Sequence, residues 1–238
     1  IFSTFLILMI SLVLILLSGE RTALFLYVIF FILLIFCLKN SMSRLMFLSI
    51  VLVATIFSVF NKPVFDRMYS RTFDQIFGDN EKIYIFSPQH HAHYLNAGKI
   101  FLQNPFFGIG PKNFRIQCNY EKYKVDIITS NNELINGCQT HPHNIYLQLL
   151  AETGIVGFLF LISFFIYISY KMIRQFKINY LRNEYLNLPM FLSMTAIILN
   201  IFPIAPTSNF FGSSFNFMLY LSIGFYFSYF YIFEKNEK

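Results

Sequence analysis

Five histidines stand in this chain, at positions 90, 91, 93, 141 and 143, and none elsewhere. All five fall in one stretch of polar sequence between apolar runs. The pair His141 and His143 sits in Thr140-His141-Pro142-His143-Asn144, immediately before Ile145–Gly157. Pro suits the first position of a helix, so the sequence predicts a helix from about Pro142 through Tyr170, capped by Thr140 or His141. His143 and Asn144 would lie in its first turn, where free N–H groups and the helix dipole favour an anion such as a phosphate. Two chemistries fit the histidines. One is a metal site, with His90, His91, His93, His141 and His143 as ligands and Cys118 and Cys138 able to join, although no HExxH pattern and no acidic cluster accompanies them. The other is acid–base work, since a neutral imidazole takes a proton from a hydroxyl near pH 7. Arg21, in Ser18-Gly19-Glu20-Arg21, adds a guanidinium able to hold phosphate with two parallel hydrogen bonds; the bland alternative is an arginine reaching to a lipid interface. Glu152, nine residues after His143, lies about half a turn off on a straight helix and reads as a structural or interhelical group. Gly154 and Gly157 read as a place where another helix approaches.

The elements that position these groups follow from composition. The 238 residues are 56% hydrophobic and 13% charged, with 32 Phe. That charged share is about half of what a soluble domain carries. Apolar runs at Ile1–Leu17, Thr22–Leu38, Leu45–Phe60, Ile155–Tyr170, Leu188–Ala205 and Phe215–Phe233 suit bilayer-spanning helices. The expected fold is an all-α integral membrane protein with about six transmembrane helices and a large loop containing short helices. Three parts follow: 1–60 with three spans, 61–142 the large loop, and 143–238 with three more spans and a cytoplasmic loop at 171–187. Because Ile1 already lies in an apolar run, the chain reads as the C-terminal part of a longer polytopic protein.

Charge sets the orientation. Eight basic residues lie on one side (Lys39, Arg44, Lys171, Arg174, Lys177, Arg182, Lys235 and Lys238), against Arg21 alone in the short loops of the other. The positive-inside rule puts the basic segments in the cytoplasm and the large loop outside. That loop holds nine basic and seven acidic residues, a balance that gives no nucleic-acid footprint. Cys37 reads as a packing residue. Cys118 and Cys138, both in the exported loop, are either a disulfide or two free thiols. Within the loop, Asn61–Ile85 reads as an amphipathic surface helix and Leu95–Gln103 as a short helix ended by Asn104-Pro105. Phe107-Gly108-Ile109-Gly110-Pro111 reads as a turn, and Asn119–Gly137 as irregular.

Three strings together carry a resemblance: Ser18-Gly19-Glu20-Arg21-Thr22-Ala23, Pro105-Phe106-Phe107-Gly108-Ile109-Gly110-Pro111-Lys112-Asn113-Phe114, and His141 through Gly154. In this order they resemble the O-antigen ligase and O-antigen polymerase superfamily. The resemblance implies a bacterial inner-membrane glycosyltransferase of lipopolysaccharide biosynthesis with a periplasmic catalytic loop. It would transfer a glycan from undecaprenyl diphosphate to a hydroxyl of lipid A–core or of a growing polysaccharide, without metal or other cofactor. His143 would match the residue that activates the acceptor, with His141, Asn144 and His93 supporting it. Arg21 would match an arginine on the diphosphate. Family members often carry a second arginine before the Pro-Phe-Phe-Gly turn, where this chain has His90, His91 and His93. Arg115 is chosen as substitute, with Lys99 and Arg71 as alternatives. The competing class is a transporter or flippase for a lipid-linked or anionic substrate, which would favour charged and broken helices. A non-catalytic assembly protein would leave the His–Arg set idle.

Overall fold

The computed structural model describes residues 2–37, 41–77, 86–128, 134–181 and 188–236. The basic residues Lys39, Arg182 and Lys238, and the side chain of Cys37, lie outside the described residues. The chain forms two compact units, Ile1–Ile85 and Phe86–Lys238.

In the first unit, α1 (Phe2–Ser18), α2 (Arg21–Cys37) and α3 (Ser41–Phe60) are apolar helices. They pack through Leu12, Leu16, Phe31, Leu34, Phe47 and Ile50, all buried. Gly19, at φ 69°, ends α1 with its N–H bonded to Ile15 and Leu16 carbonyls, the left-handed stop that glycine supplies cheaply. At Asn61 the chain bends by 99°. The Asn61 side chain accepts from Val64 N–H at 3.3 Å and Pro63 fills the first turn, so a new helix starts there: α4 (Lys62–Phe65), a π turn at Asp66–Ser70, then α5 (Arg71–Phe77). Val64 and Met68 face inward, and Ser58 meets the Tyr69 hydroxyl at 3.0 Å.

In the second unit, α6 (Pro88–Gln103) is capped by Ser87 and includes the His90–His93 run, so it begins well before the expected Leu95. Asn96 donates to the Cys118 carbonyl, and Asn104 to the Tyr123 hydroxyl at 2.8 Å, which fixes α7 (Phe114–Gln117) and the following turn against α6. The stretch expected to be irregular contains a hairpin, β1 (Asp126–Ile128) antiparallel to β2 (Leu134–Asn136), with Ile127 opposite Ile135. Three-residue strands are too short to show a period in sequence. Cys118 and Cys138 are joined, their Cα atoms 5.1 Å apart. A bridge across this separation of 20 residues is worth about 3 kcal/mol. Reduction, or Cys138→Ser, should lower the melting midpoint of the detergent-purified chain by several degrees.

The long helix α8 (Ile145–Leu181) follows, then α9 (Leu188–Asn200) and α10 (Ser213–Asn236). It continues past Tyr170 rather than stopping there. It starts at Ile145, not Pro142, because His143, two residues before it, takes φ 55°. It also breaks at Gly154, which sits at φ 65°, ψ −170°. The backbone nearest Gly154 belongs to a turn and not to another helix. Instead the Pro105–Gly110 turn inserts its backbone: Ile155 N–H donates to Pro105 O at 2.8 Å and Val156 N–H to Phe106 O at 3.2 Å. In return, Ile109 and Gly110 N–H donate to the Ala151 and Glu152 carbonyls at 3.1 and 2.8 Å. The turn thus replaces the helical bonds the kink gives up, and a Cβ at Gly154 would collide with Phe106. A Cβ at Gly157 would first meet Thr153 of its own helix.

By length and composition, Ile145–Gln175 is apolar enough to cross a membrane; Phe5–Ser18, Arg21–Ile35 and Pro189–Asn200 are shorter apolar helices. Large apolar side chains stand exposed along these helices and along α3 and α10, among them Leu14, Leu52, Phe160, Ile173 and Phe217, a surface that soluble monomers rarely present.

Candidate active site

Asn144 makes the junction where the polar loop enters α8. Its Oδ1 accepts from Tyr146 N–H at 3.0 Å and Leu147 N–H at 3.1 Å, capping the helix, while its Nδ2 donates to Pro203 O at 2.9 Å. Asn144→Ala loses cap and anchor together. Since a cap is worth about 1 kcal/mol and rarely above 2, and the Pro203 carbonyl loses its part-buried donor, the melting midpoint should drop while His143→Ala leaves it nearly unchanged.

His143 stands one residue outside the helix. Its ring lies 4.1 Å from His141, 5.3 Å from His90 and 5.6 Å from His93, centre to centre. His93 is 4% exposed and its Nδ1 is 3.1 Å from the Gly137 carbonyl. A carbonyl only accepts, so Nδ1 carries the proton and Nε2 is bare. By the same reasoning His141 donates from Nε2 to Thr207 O at 3.2 Å, leaving Nδ1 to accept from the Thr140 hydroxyl at 3.0 Å. His90 Nδ1 meets Ser87 Oγ at 3.0 Å. Burial, and then the neighbouring imidazoles of His141, His90 and His93, pushes His143 from 6.5 down to about 4. Burial also lowers His93 and His141, opposed in each by its backbone bond. At pH 7 the group is neutral, which is the form a base needs.

Below this cluster runs a polar stripe at helical spacing: Asn144, Gln148 and Glu152. Gln148 and Glu152 are at most 1% exposed. Glu152 Oε1 accepts from Phe114 N–H at 2.9 Å and Oε2 from Gln148 Nε2 at 3.0 Å; Gln148 Nε2 also donates to Asn209 Oδ1 at 2.8 Å, and Gln148 Oε1 accepts from Phe210 N–H at 2.9 Å. Every link is a satisfied buried polar group. Glu152 therefore ties α7 to α8 and holds the loop before α10 in place.

That loop, 202–212, is what sequence reasoning passed over. Thr207 N–H donates to His143 O at 2.8 Å, and Thr207 O accepts from the His141 ring. The backbone of one residue thus grips both histidines, through its N–H and its carbonyl, and holds His143 in its left-handed conformation. The readable signal was the stripe Asn144–Gln148–Glu152, polar side chains four apart on an apolar helix, which require polar partners from another segment.

Arg115 is exposed on α7, close enough for its charge to act on Glu152. Among the described residues no hydrogen bond or ion pair joins it to the histidines. Arg21 lies in the first unit, at the start of α2, where its Nη1 donates to Thr72 Oγ1 at 3.2 Å. Among the described residues no group of three His, Cys, Asp or Glu side chains is placed to hold a metal ion, and Cys118 and Cys138 are committed to each other.

Residues 6–162 match the family model described as O-antigen ligase. The chain belongs to the O-antigen ligase family. The match spans the Arg21 turn, the Pro105–Gly110 turn and α8 through its kink, so the three strings that carry the resemblance all lie inside it. As a member of that family the chain has its glycosyltransferase character and its place in polysaccharide biosynthesis, in a family of integral membrane proteins. Thr207 and Asn209 lie outside the matched residues, although they hold groups inside them. No curated protein and no solved structure matches the chain.

Proposed function

We propose that this chain, as an enzyme of O-antigen ligase or polymerase type, transfers a glycan from undecaprenyl diphosphate to an acceptor hydroxyl on the periplasmic side of the bacterial inner membrane, with His143 as general base. The observation that carries the reading is the neutral, half-buried His143 imidazole held at the mouth of α8. The acceptor O–H donates to that ring, its oxygen attacks the anomeric carbon, and the bond to the diphosphate oxygen breaks. The proton rests on the imidazole and the negative charge leaves with the lipid diphosphate. Arg21 at the start of α2 is assigned to that diphosphate, where a guanidinium stabilises growing charge. His141 and His93, with their tautomers fixed, and Asn144 keep the ring in place; Arg115 contributes positive potential beside α7. The six apolar runs are read as six crossings, with the basic segments in the cytoplasm.

The test is reconstitution of the purified chain with a lipid-linked glycan donor and a lipid A–core or polysaccharide acceptor. The expected result is a covalent acceptor–glycan product with release of undecaprenyl diphosphate in equal amount. Movement of the intact donor across vesicles with no covalent product would establish the flippase reading instead.

A further inference from the structure

The first unit carries three further arginines, Arg44, Arg67 and Arg71, that none of the three strings includes. Arg67, in the π turn, lies directly across Gly19: a Cβ on Gly19 would collide with Arg67 Cδ, Nε and Cζ. Gly19 is itself buried. Arg21, two residues on, reaches to Thr72 Oγ1 at 3.2 Å, and Thr72 is bonded back to Met68 O at 2.7 Å. Both guanidinium groups thus lie between the same two pieces of backbone, the Ser18–Arg21 turn and the Lys62–Phe77 helix. The 99° bend at Asn61 is what lays that helix over the turn.

Both arginines are exposed, and neither makes an ion pair among the described residues, although Glu20, Asp66 and Asp74 belong to the same segments. Two unpaired like charges on one small surface repel, and they stand at the amino end of the 17-residue helix α2, whose first N–H groups have no helical partner. An anion with several oxygens relieves all three conditions. An apolar groove of about 320 Å³ lies in the same unit, lined by Leu12, Leu16, Tyr27, Phe31, Thr55 and Tyr69. Leu16 is three residues before Gly19 and Tyr69 two after Arg67, so the groove begins beside the arginines.

We infer that Arg67 is the partner of Arg21 in a site for a polyprenyl diphosphate, the diphosphate between the two guanidinium groups and the start of the prenyl chain in the groove. The inference rests on the donor named above. Gly19 then serves twice, by its left-handed φ and by leaving room for the Arg67 side chain that a Cβ would push aside, and Arg67 supplies the second cation of the donor site in place of Arg115.

The full chain in detergent would be titrated with a fluorescent polyprenyl diphosphate, and separately with inorganic pyrophosphate. The lipid should bind more tightly than pyrophosphate. Arg67→Ala should weaken both tenfold or more, as loss of a charged hydrogen bond does, with an unchanged melting midpoint because Arg67 is exposed. Arg67→Lys should recover only part, lacking the forked geometry. Gly19→Ala should reproduce the defect with both arginines present. If Arg21→Ala loses binding and folded Arg67→Ala does not, the inference is overturned and the donor reading survives. If the parent chain binds an uncharged polyprenol as tightly as the diphosphate, both fall.

Discussion

His143→Ala should abolish glycan transfer while the chain remains folded. A positioned base contributes about a hundred- to ten-thousand-fold, and the ring bears little structure. The contacts that hold position 143 are the backbone bond from Thr207 N–H to its carbonyl and the cap that Asn144 provides, and both survive loss of the imidazole. The expected profile is therefore a fall of that size in kcat/KM at constant melting midpoint and constant donor affinity. Full transfer by the purified variant would remove His143 from the role of base. The pH profile gives a second readout. With His143 lowered to about 4, the neutral base persists through mild acid, so kcat/KM should hold a plateau from pH 8 to about 5 and decline below it. An imidazole at its ordinary 6.5 would lose half its activity already at pH 6.5 and nearly all of it by pH 5. Stability follows the same sign. The folded-state value is depressed, so the contribution is complete above the unfolded value near 6.5 and is lost as pH falls from there towards 4. His93 and His141, lowered as well, add to the loss over the same acid side.

Gly154→Ala should be the most damaging single methyl group in the chain. Its conformation, φ 65° with ψ −170°, belongs to a region that essentially only glycine enters, and the added carbon meets the Phe106 backbone. Backbone strain of up to about 3 kcal/mol adds to an overpacking cost of about 1–3 kcal/mol. A loss of 3 kcal/mol lowers the midpoint by roughly 6–12 °C for a chain of this size. The alternative to unfolding is withdrawal of the Pro105–Gly110 turn, which strips four backbone bonds from the kink. Either way transfer fails, because Glu152, which holds Phe114 N–H and Gln148, sits within the displaced segment. Gly157→Ala makes the contrast: its nearest neighbour is the Thr153 side chain rather than backbone from another segment, and its φ is not left-handed, so the midpoint should fall less. Equal effects at the two glycines would contradict the kink as described.

The residues legible in the sequence were those whose chemistry is local. Apolar runs of suitable length place α1, α2, α3, α9 and α10 within a few residues, since length and hydrophobicity need no partner to be read. The gathering of His90, His93, His141 and His143 follows from their confinement to one loop, but not their order around the ring of His143. What escaped depends on distant backbone. Pro142 suggests a helix start by its fixed φ, yet the Thr207 peptide holds His143 left-handed and delays the start to Ile145. Gly154 carries the same letter as any helical glycine, and only the arrival of Phe106 shows why no other residue fits. The Glu152 reading followed from angle alone: half a turn from His143 on a straight helix, it had to look elsewhere for partners, and it found Phe114 and Gln148.

The grip of Thr207 on the two histidines has a consequence for how such enzymes are surveyed. It is made entirely by main-chain atoms, while the buried Thr207 hydroxyl has no partner. A library of side-chain replacements would therefore score position 207 as silent, and Thr207→Ala would pass as wild type. Only chemistry on the peptide itself, such as Thr207→Pro or an amide-to-ester exchange that deletes the N–H, exposes its importance.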